Sequence, residues 1–173
     1  MNDDMLYTPD EIAKKLKITK NTVYEMIKRG DLDAHRMGKH LRISNSQFEI
    51  YLLKSKGYEN TYEATLTYDN EEIFANIRSV KIQVNTELDG NVLISIPSED
   101  IILSKGIFIS SARNVHKGIV TDIIVDGASV KVILDIGIPL VSLITKKSLD
   151  DMCIEKGIEV YAIFKTMSVK VYK

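Results

Sequence analysis

The sequence predicts an α+β protein, a winged helix-turn-helix over residues 1–57 followed by a β-rich, OB-like barrel over 105–173. Residues 58–104 form a linker and β-rich extension between them. Three observations carry this. Apolar residues recur at helical spacing up to Gly57 and at twofold spacing from residue 62 onward. Helix caps punctuate the first part, and Asp-Gly and similar turns the second. Charge is segregated: residues 12–42 hold nine Lys/Arg against three Asp/Glu (net +6), 61–104 two against eight (net -6), and 105–173 ten against seven (net +3), inside a total of -1. With 173 residues and 45% hydrophobic content, disorder and collagen are excluded for the chain as a whole.

Thr8-Pro9-Asp10-Glu11 reads as a capping box with proline at the first helical position, and Ile12, Ala13 and Leu16 supply the apolar stripe. Thr19 reads as a second N-cap after a link of about three residues, the spacing of a helix-turn-helix. Val23 and Ile27 are expected to face inward until Gly30 stops the helix. Ala34 to Ile43 alternates as a hairpin with Gly38-Lys39 at its tip. Ser44-Asn45-Ser46-Gln47 then caps a helix through Phe48, Tyr51 and Leu52 to Gly57. Tyr58 to Tyr62 is the candidate linker.

Strands are expected at Glu63–Tyr68, Glu72–Val84, Asn91–Ile96, Ile107–Ser110, Gly118–Val125, Ser129–Asp135, Pro139–Ile144, Glu159–Phe164 and Ser168–Tyr172. One short helix runs from Thr145 or Lys146 to about Cys153 or Glu155, closed by Gly157. About five strands with a helix between the third and fourth predict the barrel, whose closure removes exposed edges.

A helix-turn-helix plus hairpin suits double-stranded DNA. With Val23 and Ile27 inward, Lys20, Asn21, Thr22, Tyr24 and Lys28 face outward, where Asn and Lys read base edges. The hairpin adds His35, Arg36, Lys39, His40 and Arg42 for phosphates. Leaving out His35, these residues and the cap Thr19 form the expected DNA-binding set of ten. The region Tyr7–Ala13, Ile18–Tyr24, Ile27–Leu32 and Gly38–Ile43 also resembles the excisionase-type, MerR-related winged helix-turn-helix, end to end over residues 6–53. That resemblance implies DNA binding through the helix at 20–29 and the wing at 35–43.

A second set of residues points to an anion. Ser110-Ser111-Ala112-Arg113-Asn114 precedes the first barrel strand, Thr145-Lys146-Lys147-Ser148 opens the helix, and Lys165-Thr166-Met167-Ser168 joins the last two strands. A desolvated tetrahedral dianion needs neutralising charge and several donors. Arg113 and Lys165 supply the charge, and Ser111, Thr145 and Ser148 supply hydroxyls. Residues 110–171 resemble the molybdate-binding Mop or TOBE domain of molbindins, molybdate-responsive regulators and molybdate-transporter ATPase tails. The resemblance rests on Ser111-Ala112-Arg113-Asn114, Lys117-Gly118, Ile144-Thr145 with Ser148, Lys156-Gly157, and Lys165 with Ser168-Val169. It implies molybdate or tungstate as the ligand, held by Ser111, Arg113, Thr145, Ser148 and Lys165, with Asn114 and Thr166 also among the expected oxoanion-binding residues. It also implies a dimer or higher homo-oligomer, because the family's site lies between subunits. Thr166-Met167 departs from the family's usual Ala-Ser. Residues 62–104 read as a degenerate partner half-barrel or an extension completing the sheet, and their net -6 argues against contact with DNA or an anion.

The expected function is a one-component transcriptional regulator sensing molybdate or tungstate, the alternative a molybdate/tungstate binding or storage protein. No catalytic role or catalytic cofactor is expected: there is no P-loop, no metal-ligand spacing among His35, His40 and His116, and no Cys-His or Ser-His-Asp set. His116 is expected at the surface. A single cysteine, Cys153, residues 1–10 without a signal-type apolar run, and no stretch approaching about 20 apolar residues together predict a cytoplasmic protein without a membrane partner.

Overall fold

A computed structural model describes residues 5–55 and 60–173. Two compact units, Met1–Tyr58 and Glu59–Lys173, make up the chain. Among the described residues, no helix is long and apolar enough to cross a membrane.

The first unit begins with a short strand β1 (Leu6–Tyr7) and helix α1 (Pro9–Leu16). The Thr8 hydroxyl accepts from the Glu11 amide at 3.2 Å while Glu11 accepts from the Thr8 amide at 2.7 Å, closing the capping box. Lys17, in the left-handed region (φ 56°), ends the helix, and Thr19 caps α2 (Lys20–Arg29), which Gly30 ends at φ 82°. Strands β2 (His35–Met37) and β3 (His40–Ser44) form the wing. β1 adds to the free side of β3, Leu6 opposite Ser44, so the sheet has three strands rather than two. The second capping box also forms: Gln47 Oε1 accepts from the Ser44 amide and Ser44 Oγ from the Gln47 amide, opening α3 (Asn45–Ser55). The expected stop at Gly57 and the linker residues Tyr58 and Glu59 lie outside the described residues. Ile12, Ala13, Val23, Met26, Leu32, Ile43 and Phe48 form the core. On α2 it is Met26, at i+3 from Val23, that is buried. Ile27 is only half-buried, so the inward face is turned slightly from the one expected.

The second unit contains two five-stranded antiparallel sheets over one apolar core. In chain order its elements are β4 (Thr61–Asp69), β5 (Glu72–Ile77), β6 (Val80–Val84), β7 (Asn91–Ser95), a 3₁₀ turn (Ser98–Asp100) and β8 (Ile102–Ser104). Then come β9 (Asn114–Asp126), β10 (Ser129–Asp135), β11 (Pro139–Thr145), α4 (Lys146–Asp151), β12 (Glu159–Phe164), a 3₁₀ turn (Thr166–Ser168) and β13 (Lys170–Tyr172). One sheet runs β13-β7-β4-β5-β6 and the other β11-β10-β9-β12-β8. The pattern is that of a repeat: three meandering strands, a fourth, a 3₁₀ turn and a short last strand, with α4 inserted in the second copy only. Each copy's last strand pairs with the other copy's fourth, β8 with β12 and β13 with β7.

Two buried asparagines at matching positions fasten the copies together. Asn60, just before β4, donates to the carbonyls of Ile96 and Val141 and accepts from the Val141 amide at 2.7 Å. Asn114, at the start of β9, accepts from the Gln83 amide at 2.8 Å and donates to the Gln83 carbonyl at 2.9 Å.

Several expectations are corrected. The sheets do not close into a barrel, because the strand expected to close it, β13, is paired in the other sheet. Glu72–Val84 is two strands, turned at Arg78, a non-glycine residue at φ 54°. Ile107–Ser110 is not a strand, and Ile107 and Ile109 are exposed. Ile102–Ser104 is one.

Candidate functional site

Six of the ten residues expected to contact DNA converge on one cleft of about 430 Å³: Lys20 and Tyr24 from α2, and Arg36, Lys39, His40 and Arg42 from the wing. The N-terminus of α1 (Thr8, Pro9, Asp10) and Leu41 complete the lining. Lys20 Nζ lies 6.0 Å from the centre of the Tyr24 ring, and Arg42 Nη1 donates to the Leu41 carbonyl at 2.9 Å. Four cations therefore face one carboxylate, Asp10, which is ion-paired to Lys14 at 3.0 Å and whose pKa that lysine lowers. Glu11 is held below the usual carboxylate range, first by the Thr8 amide it accepts from. Sequence reasoning missed the α1 terminus as part of this face. The capping box marked its position but carried no hint that it borders the wing.

The other four residues lie elsewhere on the unit. Asn21, Thr22 and Lys28 are exposed on α2 outside the cleft. Thr19 Oγ1 accepts from the Thr22 amide at 3.2 Å and lies 2.8 Å from Thr22 Oγ1, so the two hydroxyls start the helix. Thr22 borders a separate groove with Ile18, Met26, Arg29 and Tyr51.

In the second unit the expected anion residues fall into two groups. Ser111 and Lys165 line one cleft of about 350 Å³ with Ser110, Ser168, Phe108, Phe164 and the apolar Ile102, Ala112 and Ile163. Arg113, two residues from Ser111, is exposed. Ser110 and Ser168 are not among the expected ligands, although Ser110 adjoins Ser111 and Ser168 lies three residues after Lys165. Glu99 and Asp100 also line this cleft, contrary to the expectation that the acidic segment keeps away from the anion residues.

Thr145 and Ser148 form the second group. Thr145 caps α4, its Oγ1 accepting from the Ser148 amide at 3.0 Å and lying 2.9 Å from Ser148 Oγ. Thr145 pairs with Ser129, and Ser129 with Asp126, so this group sits at the far end of β9 from Asn114. Twelve residues of extended strand separate the two groups, on the order of 30–40 Å. A single tetrahedral anion cannot touch both within one chain.

Asn114 is 2% exposed and its side-chain amide is bonded to the Gln83 backbone. Thr166 Oγ1 is buried with no hydrogen-bond partner, and Met167 is exposed, its sulfur accepting from Asn85 at 3.7 Å. His116 is half-buried rather than fully at the surface. Its ring stacks on Phe164 at 5.7 Å, its Nε2 is buried without a partner, and burial lowers its pKa, which favours the uncharged ring. Among the described residues no group of three or more His, Cys, Asp or Glu is placed to hold a metal ion.

Comparison with known proteins divides along the same line. Residues 6–56 match the model of the helix-turn-helix domain and residues 110–171 that of the TOBE domain. The molybdate/tungstate import ATP-binding protein WtpC of Pyrococcus abyssi is 40% identical over 117 residues, that of Pyrococcus horikoshii 37%. Each match covers 67% of this chain and 33% of the relative. The uncharacterized protein YvgK of Bacillus subtilis is 41% identical over 51 residues, 30% of this chain and 17% of its own. The chain thus spans about a third of the length of the import proteins it matches. Among solved structures, the cytoplasmic molybdate-binding protein ModG, determined with molybdate bound, superposes with a TM-score of 0.55 at 18% identity. The likeness covers 67% of this chain and 96% of that one, and it is one of fold.

Proposed function

The chain carries a helix-turn-helix domain over residues 6–56 and a TOBE domain over 110–171, and from this pairing we propose that it is a one-component transcriptional regulator. In this reading the basic cleft of the first unit binds double-stranded DNA, and the second unit binds molybdate or tungstate in the cytoplasm. The observation that carries it is the convergence of Lys20, Arg36, Lys39 and Arg42 on one cleft in a chain that also holds a TOBE domain. A molecule that only stored an oxoanion gains nothing from such a face.

On the DNA side, α2 enters the major groove with Asn21, Thr22 and Lys28 toward the bases, and Lys20, Arg36, Lys39 and Arg42 neutralise phosphates. On the anion side, Ser111, Arg113 and Lys165 of one chain bind together with Thr145 and Ser148 of a second copy. The separation of the two groups along β9 makes a homo-oligomer necessary for any site that uses both. Ser110 and Ser168 add donors beside Ser111 and Lys165.

Storage is the second reading, supported by the likeness of about two thirds of this chain to nearly the whole of ModG. One experiment separates the two. The purified protein is titrated with molybdate and tungstate by calorimetry, then with DNA from upstream of its own gene by gel shift, with and without saturating anion. The regulator reading expects saturable micromolar anion binding and a DNA affinity that changes several-fold with anion. Anion binding with no DNA affinity, or a DNA affinity indifferent to anion, favours storage. No saturable binding of either anion removes both readings.

A further inference from the structure

The two copies of the repeat differ most in chemistry at their 3₁₀ turns. In the second copy the turn and its preceding residue read Lys165-Thr166-Met167-Ser168, a cation and two hydroxyls. At the matching place the first copy reads Pro97-Ser98-Glu99-Asp100. The exchange of last strands brings these unlike turns together. β8 pairs with β12, with Ile102 opposite Ile163, so the residues just before β8 lie level with those just after β12. Asp100 accordingly flanks Lys165, and both line the cleft that holds Ser111. The only side-chain bond that Glu99 makes among those described is a 3.5 Å contact from the Ser98 hydroxyl. Neither carboxylate is within ion-pair reach of a described cation.

We propose that Glu99 and Asp100 set the affinity and charge selectivity of the oxoanion cleft, the acidic turn of one copy holding down the anion affinity of the other. This rests on the oxoanion reading of that cleft. A carboxylate cannot donate to a fully deprotonated oxoanion and repels it. A cleft of about 350 Å³ has a radius of about 4 Å, so its lining charges lie within roughly 8 Å of an anion at its centre. Over that distance, at the edge of solvent and with physiological screening, two unit negative charges weaken a dianion's binding by roughly tenfold, and a monoanion's by the square root of that factor. Such weakening suits a sensor. A sensor must release its ligand when supply falls, whereas a store loses capacity by it.

The test compares wild type with Glu99→Gln/Asp100→Asn by calorimetric titration with molybdate, tungstate and the monoanion perchlorate. A control, Glu87→Gln/Glu155→Gln, removes two exposed charges outside the cleft. Circular dichroism checks that each variant folds, and the single substitutions provide a second measure should the double variant misfold. The double variant is expected to bind molybdate and tungstate roughly tenfold more tightly, each single variant about threefold, and the control less than twofold. Perchlorate is expected to gain no more than about threefold. A molybdate affinity within threefold of wild type in the double variant, or an equal gain in the control, overturns the role of the acidic turn while leaving the cleft's ligand in place. If neither wild type nor variant takes up any anion, the oxoanion reading of the cleft falls and this role with it. Binding by the variant alone supports the proposal directly.

Discussion

Asn114 sits in the row of residues that the Mop/TOBE resemblance associates with the anion, yet its amide is bonded to the backbone of Gln83. β6, which carries Gln83, is the outermost strand of its sheet, so these backbone groups have no neighbouring strand to pair with. Asn114→Ala deletes two hydrogen bonds, each worth about 1 kcal/mol net, and leaves an amide and a carbonyl partly buried without partners, at about 1 kcal/mol or more each. Because Gln83 is only half-buried, water recovers part of this. The expected loss is therefore about 2–4 kcal/mol. The assay is urea unfolding of the whole chain followed by circular dichroism, read as a shift of midpoint at constant slope. Hydrogen exchange at the Gln83 amide gives a local reading. Asn60→Ala, which removes three bonds to Ile96 and Val141, is expected to destabilise at least as much. A loss below about 1 kcal/mol with a large drop in molybdate affinity would refute this reasoning and assign Asn114 to the anion.

Three further outcomes are expected. Lys39→Ala lowers the slope of log affinity against log salt for DNA by about 0.9, measured by fluorescence anisotropy, whereas Asn21→Ala alters sequence preference at unchanged slope. Gly118→Val destabilises the second unit by about 1–3 kcal/mol in thermal unfolding. Even a Cβ at Gly118 would meet Ile136 Cγ2 at 2.8 Å and the Asp135 carbonyl at 3.1 Å. Burial depresses the folded pKa of His116 below 6.5, so between those values the unfolded chain binds the extra proton. Its stability contribution is full above pH 6.5 and falls as pH drops toward the folded value. His116→Phe flattens that part of the stability profile in denaturant titrations at pH 5 to 7.

What the sequence disclosed followed from how local each signal was. Thr8 with Glu11, Ser44 with Gln47, and Gly30 are caps whose bonds span three or four residues, and they fixed the helical unit closely. β10 and β12 were read to the residue because Val, Ile and Tyr alternate between clear turns. Arg78 hid a turn because nothing in its type announces φ 54°. Ile107-Phe108-Ile109 imitated a strand because apolar composition does not reveal whether a ladder partner exists. The exchange of β8 and β13 depends on which copy each strand meets, a question of topology that periodicity does not address. In the site, residue types pointed to the chemistry but not to the grouping. Thr145 and Lys165 read alike as anion donors although β9 holds them far apart, and a bonding partner 31 residues away set Asn114 apart from its neighbours. The net -6 of residues 61–104 argues against contact with an anion, yet Glu99 and Asp100 from that segment line the cleft.

Regulation imposes a condition beyond the presence of two sites. If anion binding shifts DNA affinity by a factor α, DNA must shift anion affinity by the same factor, because both paths around the cycle reach the same complex. A tenfold effect corresponds to about 1.4 kcal/mol of coupling, well inside the range that paired sites show. The anion titration repeated at saturating DNA should therefore show the displacement that the gel shift shows at saturating molybdate. An oligomer that assembles through its anion sites provides a physical route for this. In the proposed oligomer, joining Thr145 and Ser148 of one copy to Ser111 and Lys165 of another would fix a spacing between copies, and paired helix-turn-helix units read half-sites only at particular spacings along the duplex. Equal factors in the two directions would identify the anion as an effector of DNA binding. A DNA affinity that changes while the anion affinity stays fixed would place the effect outside equilibrium coupling and rule out this route.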